Sequence, residues 1–439
     1  MRRAVYQCAR FAGVLLLLAG CGGDSSSAGN ADAWTRFRGP NGSGLSTESP
    51  LPVTWAADAP NVRWSAPLPG FGGSSPIVVG SSVVVAFAER EGESLTHGVV
   101  ALDVDSGEEQ WRRPVATRKE LVLRNRFGVH AGATPVSDER TIYAYFGAEL
   151  AAIDDRGEII WSVIVEPDYE ETTRYGAGSS PVLAGDSIVI LQDKEYAKED
   201  YDFGWLAAFD RSNGELLWRH QLEDGCCSYT TPVLRQTAAA TEIIVALSRK
   251  IVAFDLADGE ILWEDGQDMN QPVASPVLDG DLLCVASGAH NVRETVCRRL
   301  SGAGADTTVE PLWRTNRTVA ETASPLLYDG KLYVLVQKGM ITTYAAETGQ
   351  ILWRQRLSPG AYHASLVGGD GKVYAFNNAG VTTVFSTAPE YEQLAVNDLG
   401  ERGSIASPAI AGGRLYLRTA KHLVSIEPEP AGAPADTAS

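Results

Sequence analysis

Residues 252–263 read VAFDLADGEILW, a short apolar strand, a turn that contains glycine, and a second strand that ends in tryptophan. The same order recurs four more times, always with the glycine four residues before the tryptophan. The other copies are ALDVDSGEEQW (101–111), AAIDDRGEIIW (151–161), AAFDRSNGELLW (207–218) and TTYAAETGQILW (342–353). A glycine at a fixed offset indicates a tight turn that needs positive φ, so each copy predicts a β-hairpin.

A second motif precedes each hairpin and has the order small residue, serine or threonine, proline, strand, turn and strand. It occurs eight times, with Leu366 in place of the proline in one copy and proline in the others, at Pro76, Pro135, Pro181, Pro232, Pro276, Pro325 and Pro408. Proline at the first residue of a strand removes no ladder hydrogen bond. Together the two motifs predict a unit of four strands and about 40 to 60 residues, which is the period of a β-propeller blade.

Three irregular copies decide the number of blades. Trp313 completes the fifth unit after a degenerate hairpin, and the seventh unit has Leu394 in the corresponding region. The eighth unit ends at residue 428 without a tryptophan strand, whereas NVRWSAPL (61–68) supplies Trp64 near the N-terminus. A strand from the N-terminus would close the last blade and remove the open edges of the ring. The sequence therefore predicts an all-β, eight-bladed propeller of four-stranded blades, closed by an N-terminal strand.

The tryptophans are interpreted as blade-to-blade packing residues, because one large aromatic side chain at a fixed turn offset in successive units suits a repeated structural contact. The residues given this role are Trp64, Trp111, Trp161, Trp218, Trp263, Trp313 and Trp353.

The N-terminus indicates an exported lipoprotein. Three arginines precede an apolar run at residues 11–18, which is too short to span a bilayer, and the run leads into Leu-Ala-Gly-Cys ending at Cys21. This order resembles a bacterial lipobox and predicts a signal peptide at 1–20, lipidation of Cys21 and a flexible tether at 21–33. An ordinary cleaved signal is the alternative. We then expect an extension at 34–60 that packs on the propeller, the propeller itself at 61–428 and a disordered tail at 429–439.

Charge and cysteine usage narrow the classes of function. The net charge of −18 argues against nucleic-acid binding, because a phosphate backbone requires a basic surface. No C-x-x-C pattern occurs, so neither a metal cluster nor thioredoxin chemistry is indicated. Cys284 and Cys297 flank a predicted hairpin, and an oxidising compartment favours a structural disulfide between them, with two free thiols as the alternative.

The repeat A-x-D-x-x-x-G-x-x-x-W resembles the PQQ-like, quinoprotein-type propeller repeat, and the resemblance covers residues 34–428. The segment WTRFRGPNG (34–42) resembles the start of planctomycete-type PQQ-binding-like propeller proteins. In architecture and anchoring the chain also resembles the BamB family of outer-membrane assembly lipoproteins. Glycine rather than aspartate at residue 22 adds a resemblance to lipoproteins sorted to the outer membrane, so we expect a location facing the periplasm.

The quinoprotein resemblance raises an enzyme alternative. Quinoprotein dehydrogenases hold PQQ with Ca²⁺ over the channel, and many stack a disulfide between adjacent cysteines on the quinone. Cys226 and Cys227 match that pair, but no motif supplies the Glu, Asn and Asp that hold the ion and act as base. Two ordinary loop thiols are the other interpretation. We therefore assign no catalytic residue and no metal ligand, and expect no cofactor, with PQQ and Ca²⁺ as the alternative.

Loop residues between the units provide a candidate ligand or partner face, which consists of Arg126, His130, Arg174, Cys226, Cys227 and Tyr229. The charged members could equally be solvated or pair with acids such as Glu166. The leading hypothesis is a non-catalytic, monomeric, lipid-anchored envelope propeller that binds a protein partner. A quinone-dependent oxidoreductase and a sensor of small ligands or carbohydrates are the alternatives.

Overall fold

The computed structural model describes residues 33–119, 130–167, 176–193, 204–222, 228–288 and 292–429. In them, eight separate four-stranded sheets follow one another along the chain. Each sheet is a blade whose shortest strand lies innermost and whose last strand lies at the rim. The predicted all-β, eight-bladed propeller is confirmed.

Consecutive strands of each blade pair antiparallel, and the only helices among the described residues are two 3₁₀ turns, η1 (Pro40–Gly42) and η2 (Gly304–Asp306). The strands in chain order are β1 (Val62–Pro67); β2 (Ile77–Val79), β3 (Ser82–Glu91), β4 (Ser94–Asp103) and β5 (Glu109–Lys119); β6 (Val136–Ser137), β7 (Thr141–Tyr145), β8 (Glu149–Asp154) and β9 (Ile159–Ile164); β10 (Val182–Ala184), β11 (Ser187–Asp193), β12 (Gly204–Asp210) and β13 (Leu216–Gln221); β14 (Val233–Gln236), β15 (Thr241–Leu247), β16 (Lys250–Asp255) and β17 (Ile261–Gly266); β18 (Val277–Asp279), β19 (Leu282–Ser287), β20 (Glu294–Ser301) and β21 (Thr308–Thr315); β22 (Leu326–Tyr328), β23 (Lys331–Leu335), β24 (Met340–Ala345) and β25 (Ile351–Arg356); β26 (Val367–Gly369), β27 (Lys372–Phe376), β28 (Val381–Ser386) and β29 (Gln393–Asp398); β30 (Ala409–Ala411), β31 (Arg414–Arg418) and β32 (His422–Ile426).

The eighth blade is closed by the N-terminal strand, as predicted. Strand β1 pairs antiparallel with β32 and places Trp64 opposite Ser425. The first and last parts of the propeller therefore share one sheet, which closes the ring. No helix within the described residues is long and apolar enough to cross a membrane.

The tryptophan of one blade packs against the glycine turn of the next. Gly214, at φ +75°, lies so close to the Trp161 indole that a Cβ on the glycine would be 2.7 Å from it. Four other pairs repeat this contact: Gly107 with Trp64, Gly157 with Trp111, Gly259 with Trp218, and Gly349 with Trp313. In all five, the indole Nε1 donates to a carbonyl of the same turn, at 2.6–3.2 Å. The fixed Gly-x-x-x-Trp spacing thus builds the rim of the interface between blades.

A β-bulge lies just before the tryptophan in each of these blades, for example where Ala208 faces Trp218 but Phe209 faces Leu216. The seventh blade has the same bulge, and there Ala395, not Leu394, occupies the tryptophan register opposite Val384. Leu394, which the sequence places in the corresponding region, is the bulged residue beside that position. A bulge adds one residue to one strand, which sequence spacing alone does not reveal.

At the interface between the fourth and fifth blades, a buried carboxylate of the fourth blade, Glu242 on β15, takes the place of the glycine turn. The hairpin of the fifth blade contains η2 instead of the regular turn, and the Trp263 indole of the fourth blade donates to Glu242 Oε2 at 3.1 Å. The fully buried Glu242 also accepts from the Gly304 amide and the Thr307 hydroxyl and pairs with Arg235 at 3.0 Å. One acid therefore joins the fourth and fifth blades where the repeat degenerates.

The glycine turns give a direct test of rim packing. Gly214→Ala should destabilise the protein more than Gly185→Ala in the same blade, by about 1–3 kcal/mol. Both glycines have positive φ, so both variants carry the backbone strain, but the space around Gly185 is open while Gly214 abuts Trp161. Denaturant unfolding measures the difference, and equal losses would contradict the packing role.

The buried acid makes a second prediction. Glu242→Ala should lower the free energy of unfolding by about 3–5 kcal/mol, because it leaves Arg235 without its carboxylate. The control is Glu264→Ala, which removes the exposed partner of Lys250 in the same blade and should cost at most about 1 kcal/mol. Similar unfolding free energies for the two variants would refute the special role of Glu242.

Candidate functional site

A closed ring of eight side chains surrounds the central channel. Each member is the serine or threonine of the motif that precedes a blade, and each accepts a hydrogen bond from the backbone N–H of the member before it, at 2.9–3.1 Å. In order the members are Ser75, Thr134, Ser180, Thr231, Ser275, Ser324, Ser365 and Ser407, and the Ser407 amide donates back to Ser75. All eight are at most 5% exposed. We call this set the hydroxyl ring.

The hydroxyl ring is the wall of a cavity of about 420 Å³. The inner strands all start at the ring, so residues before it lie toward one end of the channel and residues after it toward the other. Phe37 is the one lining residue from the N-terminal extension, and it forms the floor. The residues just before the ring members form the rim of the opening, which we call the mouth.

The N-terminal extension closes the floor end by hydrogen bonds to several blades. The carbonyls of Trp34 and Thr35 accept from the amides of Val78 and Ser137 in the first two blades. On the far side, Asn41 exchanges two hydrogen bonds with the backbone of Leu234, at 2.8 and 3.0 Å. The first residues of the extension, from Trp34 to Asn41, thus lie across one end of the channel.

Three buried arginines lie beside the hydroxyl ring. Arg36 donates to the Pro232 carbonyl at 3.0 Å, Arg38 to Pro325 at 2.6 Å, and Arg418 to Ser74 at 3.0 Å, each acceptor being next in sequence to a ring member. None of the three has an acidic partner among the described residues. Burial lowers the pKa of Arg36 and Arg418 to about 10 and that of Arg38 to about 9, so all three stay charged at neutral pH.

The two sides of the mouth carry different kinds of residue. On the side of the first three blades its rim consists of glycines, at Gly73, Gly132 and Gly178. On the other side it carries side chains that stack or form hydrogen bonds, namely Tyr229, Gln271, Thr322 and His363. The Tyr229 ring leans over Gly178, where an added Cβ would be 2.9 Å from it. Because Val273 and Ile405 also line this second side, a ligand would find small residues on one side and mixed polar and apolar side chains on the other.

Two members of the candidate face lie at the mouth end. Tyr229 lines the cavity, and His130 precedes the lining residue Gly132 by two positions. Arg126, Arg174, Cys226 and Cys227 lie outside the described residues, as does Cys21. Among the described residues Glu166, one of the acids considered as their partner, accepts from Trp205 and Arg219.

The two cysteines of the described residues are joined. Cys284 on β19 lies directly opposite Cys297 on β20, and the structure has a disulfide between them inside the fifth blade. Both residues are fully buried, so the bond is part of the core rather than of an accessible redox site. The described residues contain no group of three or more side chains suited to hold a metal ion.

His130 belongs to an aromatic cluster at the mouth end. Its ring is 6.0 Å from that of His97 and 5.7 Å from Phe71, and His97 also packs against Phe146 at 5.6 Å. Burial lowers the pKa of His97 to about 4, with smaller contributions from His130 and Arg118. His97 is thus neutral in the folded protein at mildly acidic pH, where an unfolded histidine is already protonated.

The lowered pKa of His97 predicts that the folded protein loses stability in mildly acidic solution. Between its ordinary pKa of 6.5 and about 4, the unfolded chain binds a proton that the folded chain does not, so stability falls as the pH falls. The contribution reaches up to about 3 kcal/mol. His97→Gln should therefore flatten the fall in unfolding free energy over this range. At pH 8 His97 is neutral in both the folded and the unfolded chain, so the difference between variant and parent there measures the packing effect alone. An unchanged dependence of the unfolding free energy on pH would show that His97 does not cause the loss of stability in acid.

Sequence reasoning recognised the hydroxyl-ring residues only as strand markers. A signal was present, since a serine or threonine stands immediately before the proline, or Leu366, in all eight copies. The meaning of that offset emerges only when the blades are arranged in a circle, because seven of the bonds join residues 41 to 59 positions apart and the closing bond joins residues 332 positions apart. Arg36, Phe37 and Arg38 lie in the WTRFRGPNG segment, whose sequence does not indicate a place at the channel.

The geometry defines a class: an eight-bladed PQQ-like propeller with its N-terminal segment across the channel. Within that class the chain belongs to the family described as outer membrane protein assembly factor BamB, whose model matches residues 96–304 and 298–430.

Individual relatives agree with this family. The chain is similar to outer membrane protein assembly factor BamB of Yersinia pestis, with 21% identity over 85% of this chain and 90% of the relative. It is 23% identical to BamB of Bordetella pertussis over 70% of this chain and 71% of that protein.

Two solved structures share the fold. BamB from Moraxella catarrhalis has a TM-score of 0.54 at 12% identity, over 83% of this chain and 95% of that one. Quinohemoprotein alcohol dehydrogenase from Comamonas testosteroni has a TM-score of 0.62 at 11% identity, over 91% and 81%. At these identities the likeness shows the architecture alone, which enzymes and assembly factors have in common.

Proposed function

We propose that this chain is a lipid-anchored, non-catalytic propeller of the cell envelope that faces the periplasm and binds a protein partner during outer-membrane protein assembly. The observation that carries the proposal is the family match across 96–430, since that family is described as an outer membrane protein assembly factor. The relatives from Yersinia and Bordetella bear the same description. The lipobox that ends at Cys21 supports anchoring.

The first blade offers a partner surface at the mouth end. Strands β3 and β4 have ten residues each and β5 has eleven, whereas in the described parts of the other blades the second strands have five to seven. All these second strands start at the floor end, so the extra residues extend β3 and β4 beyond the mouth by about 10 Å. The hairpin tip at Gly92 and Glu93 is exposed.

The projecting hairpin is held rigid at its base. Phe71 and Ala88 exchange two backbone hydrogen bonds, at 2.7 and 2.9 Å, and the Arg90 guanidinium lies 5.5 Å from the centre of the Phe71 ring. Arg112 on β5 pairs with Glu109 on the same strand and also with Glu89 on β3, across the intervening strand β4. A fixed ribbon with mixed charges and backbone groups along its edges suits protein recognition, because little order must be gained on binding.

Site-specific crosslinking in the envelope tests this function. A photoreactive amino acid at Glu93 should trap a component of the outer-membrane assembly machinery. The same group at Asp258, an exposed turn residue at the floor end, is the matched control and should trap much less. Mass spectrometry identifies the adducts. Equal labelling from both positions would contradict the mouth-end surface, and the absence of any assembly component from both would contradict the proposed function.

Anchoring and the enzyme alternative have separate readouts. Cys21→Ala should abolish incorporation of labelled fatty acid, and labelling that persists would refute the lipobox.

Purified protein supplied with PQQ and Ca²⁺ should show no quinone-dependent dye reduction. Reduction above the level of heat-inactivated protein would instead favour a quinone-dependent oxidoreductase.

A further inference from the structure

The hydroxyl ring has O–H donors that are not used within the described structure. Each ring oxygen accepts a backbone N–H, but no acceptor for any of the eight hydroxyl protons is found among the described residues. A serine or threonine hydroxyl carries one donor besides its lone pairs, so eight buried O–H donors remain at the cavity wall. Buried donors are normally satisfied, which indicates a guest that supplies oxygen acceptors.

The charge around the cavity has one sign. The chain carries −18 overall, yet the cavity lining contains no aspartate or glutamate. Arg36, Arg38 and Arg418 donate to backbone carbonyls next in sequence to ring members, so positive charge flanks the ring at three points. The Nε and Nη1 atoms of Arg38, a fully buried residue, have no hydrogen-bond partner. In a poorly solvated interior such uncompensated positive charge favours an anion.

We propose that the channel binds a small organic carboxylate through its mouth. Its carboxylate oxygens accept from the hydroxyl ring, and its remainder lies between Phe37 at the floor and Tyr229 at the rim. The cavity of about 420 Å³ is at the smaller end of the range of about 300–1,000 Å³ for small-molecule sites. A neutral sugar of the same size would use the donors but would gain nothing from the three guanidinium groups.

Binding of matched probes tests this site. Gluconate and sorbitol are open-chain six-carbon polyols that differ only at C1, which is a carboxylate in gluconate and a hydroxymethyl group in sorbitol. Titration calorimetry and thermal unfolding of the detergent-solubilised full chain should show saturable binding and a raised melting temperature with gluconate or citrate. Sorbitol should do neither. Sorbitol binding as tight as gluconate binding would overturn the charge argument, and no binding of either carboxylate at millimolar concentration would overturn the site.

A pair of variants at the mouth separates charge from shape. Ile405 lines the cavity, is partly exposed and belongs to no ring hydrogen bond, so polar substitutions there should fold. Ile405→Glu should weaken carboxylate binding by at least about tenfold, because it adds a negative charge near the bound anion. Ile405→Gln, with the same shape and no charge, should retain affinity within about threefold. Equal affinities for the two variants would refute an anion site.

This inference is independent of the partner proposal. Crosslinking from Glu93 reports the projecting hairpin of the first blade, whereas Ile405→Glu changes only the channel. If carboxylate binding fails while crosslinking succeeds, the channel site is rejected and the assembly function stands. If crosslinking fails while the carboxylate binds, the assembly function is rejected and the channel site stands.

Discussion

Eight hydrogen bonds from backbone amides to side-chain hydroxyls run in a closed circle around the channel, and the arrangement of the blades depends on them. Each bond joins the inner edge of one blade to the next, and the Ser407 amide completes the circle at Ser75. A closed circle fixes the number of blades and the width of the channel together. It also requires a small hydroxyl side chain at the same position of every repeat, because an apolar residue would leave a buried amide unpaired.

The outer parts of neighbouring blades are also joined by specific contacts, but these contacts differ from one interface to the next. Five interfaces use a tryptophan stacked on a glycine turn, whereas the fourth and fifth blades meet through the buried Glu242. Next to the last blade, where Ala395 takes the tryptophan register, the extension adds Trp55, which packs in the same apolar cluster and donates its backbone amide to Asn397. A rim contact can be replaced by different chemistry, since it must only fill space and satisfy a donor.

The extension gives the two ends of the propeller different properties. At the floor end it covers the channel and brings two buried guanidinium groups next to the hydroxyl ring. At the mouth end the channel opens beside the long hairpin of the first blade. A cavity closed on one side by the chain's own residues is a pocket rather than a pore, so small-ligand binding and partner binding would meet at one face. The proposed carboxylate site and the proposed partner surface therefore adjoin, although they use different residues.

The sequence by itself determined the blades, their number and their closure, because Gly-x-x-x-Trp and the hydroxyl–proline motif each reflect local geometry that short segments impose. It placed Trp64 in the last blade, since only one unpaired strand was left over. Tertiary structure alone decided that Leu394 is a bulge, that Glu242 substitutes for a turn, and that Phe37 is the floor of a cavity. These features arise between residues far apart in sequence, where burial, charge and hydrogen-bond capacity are set by neighbours that no local pattern names.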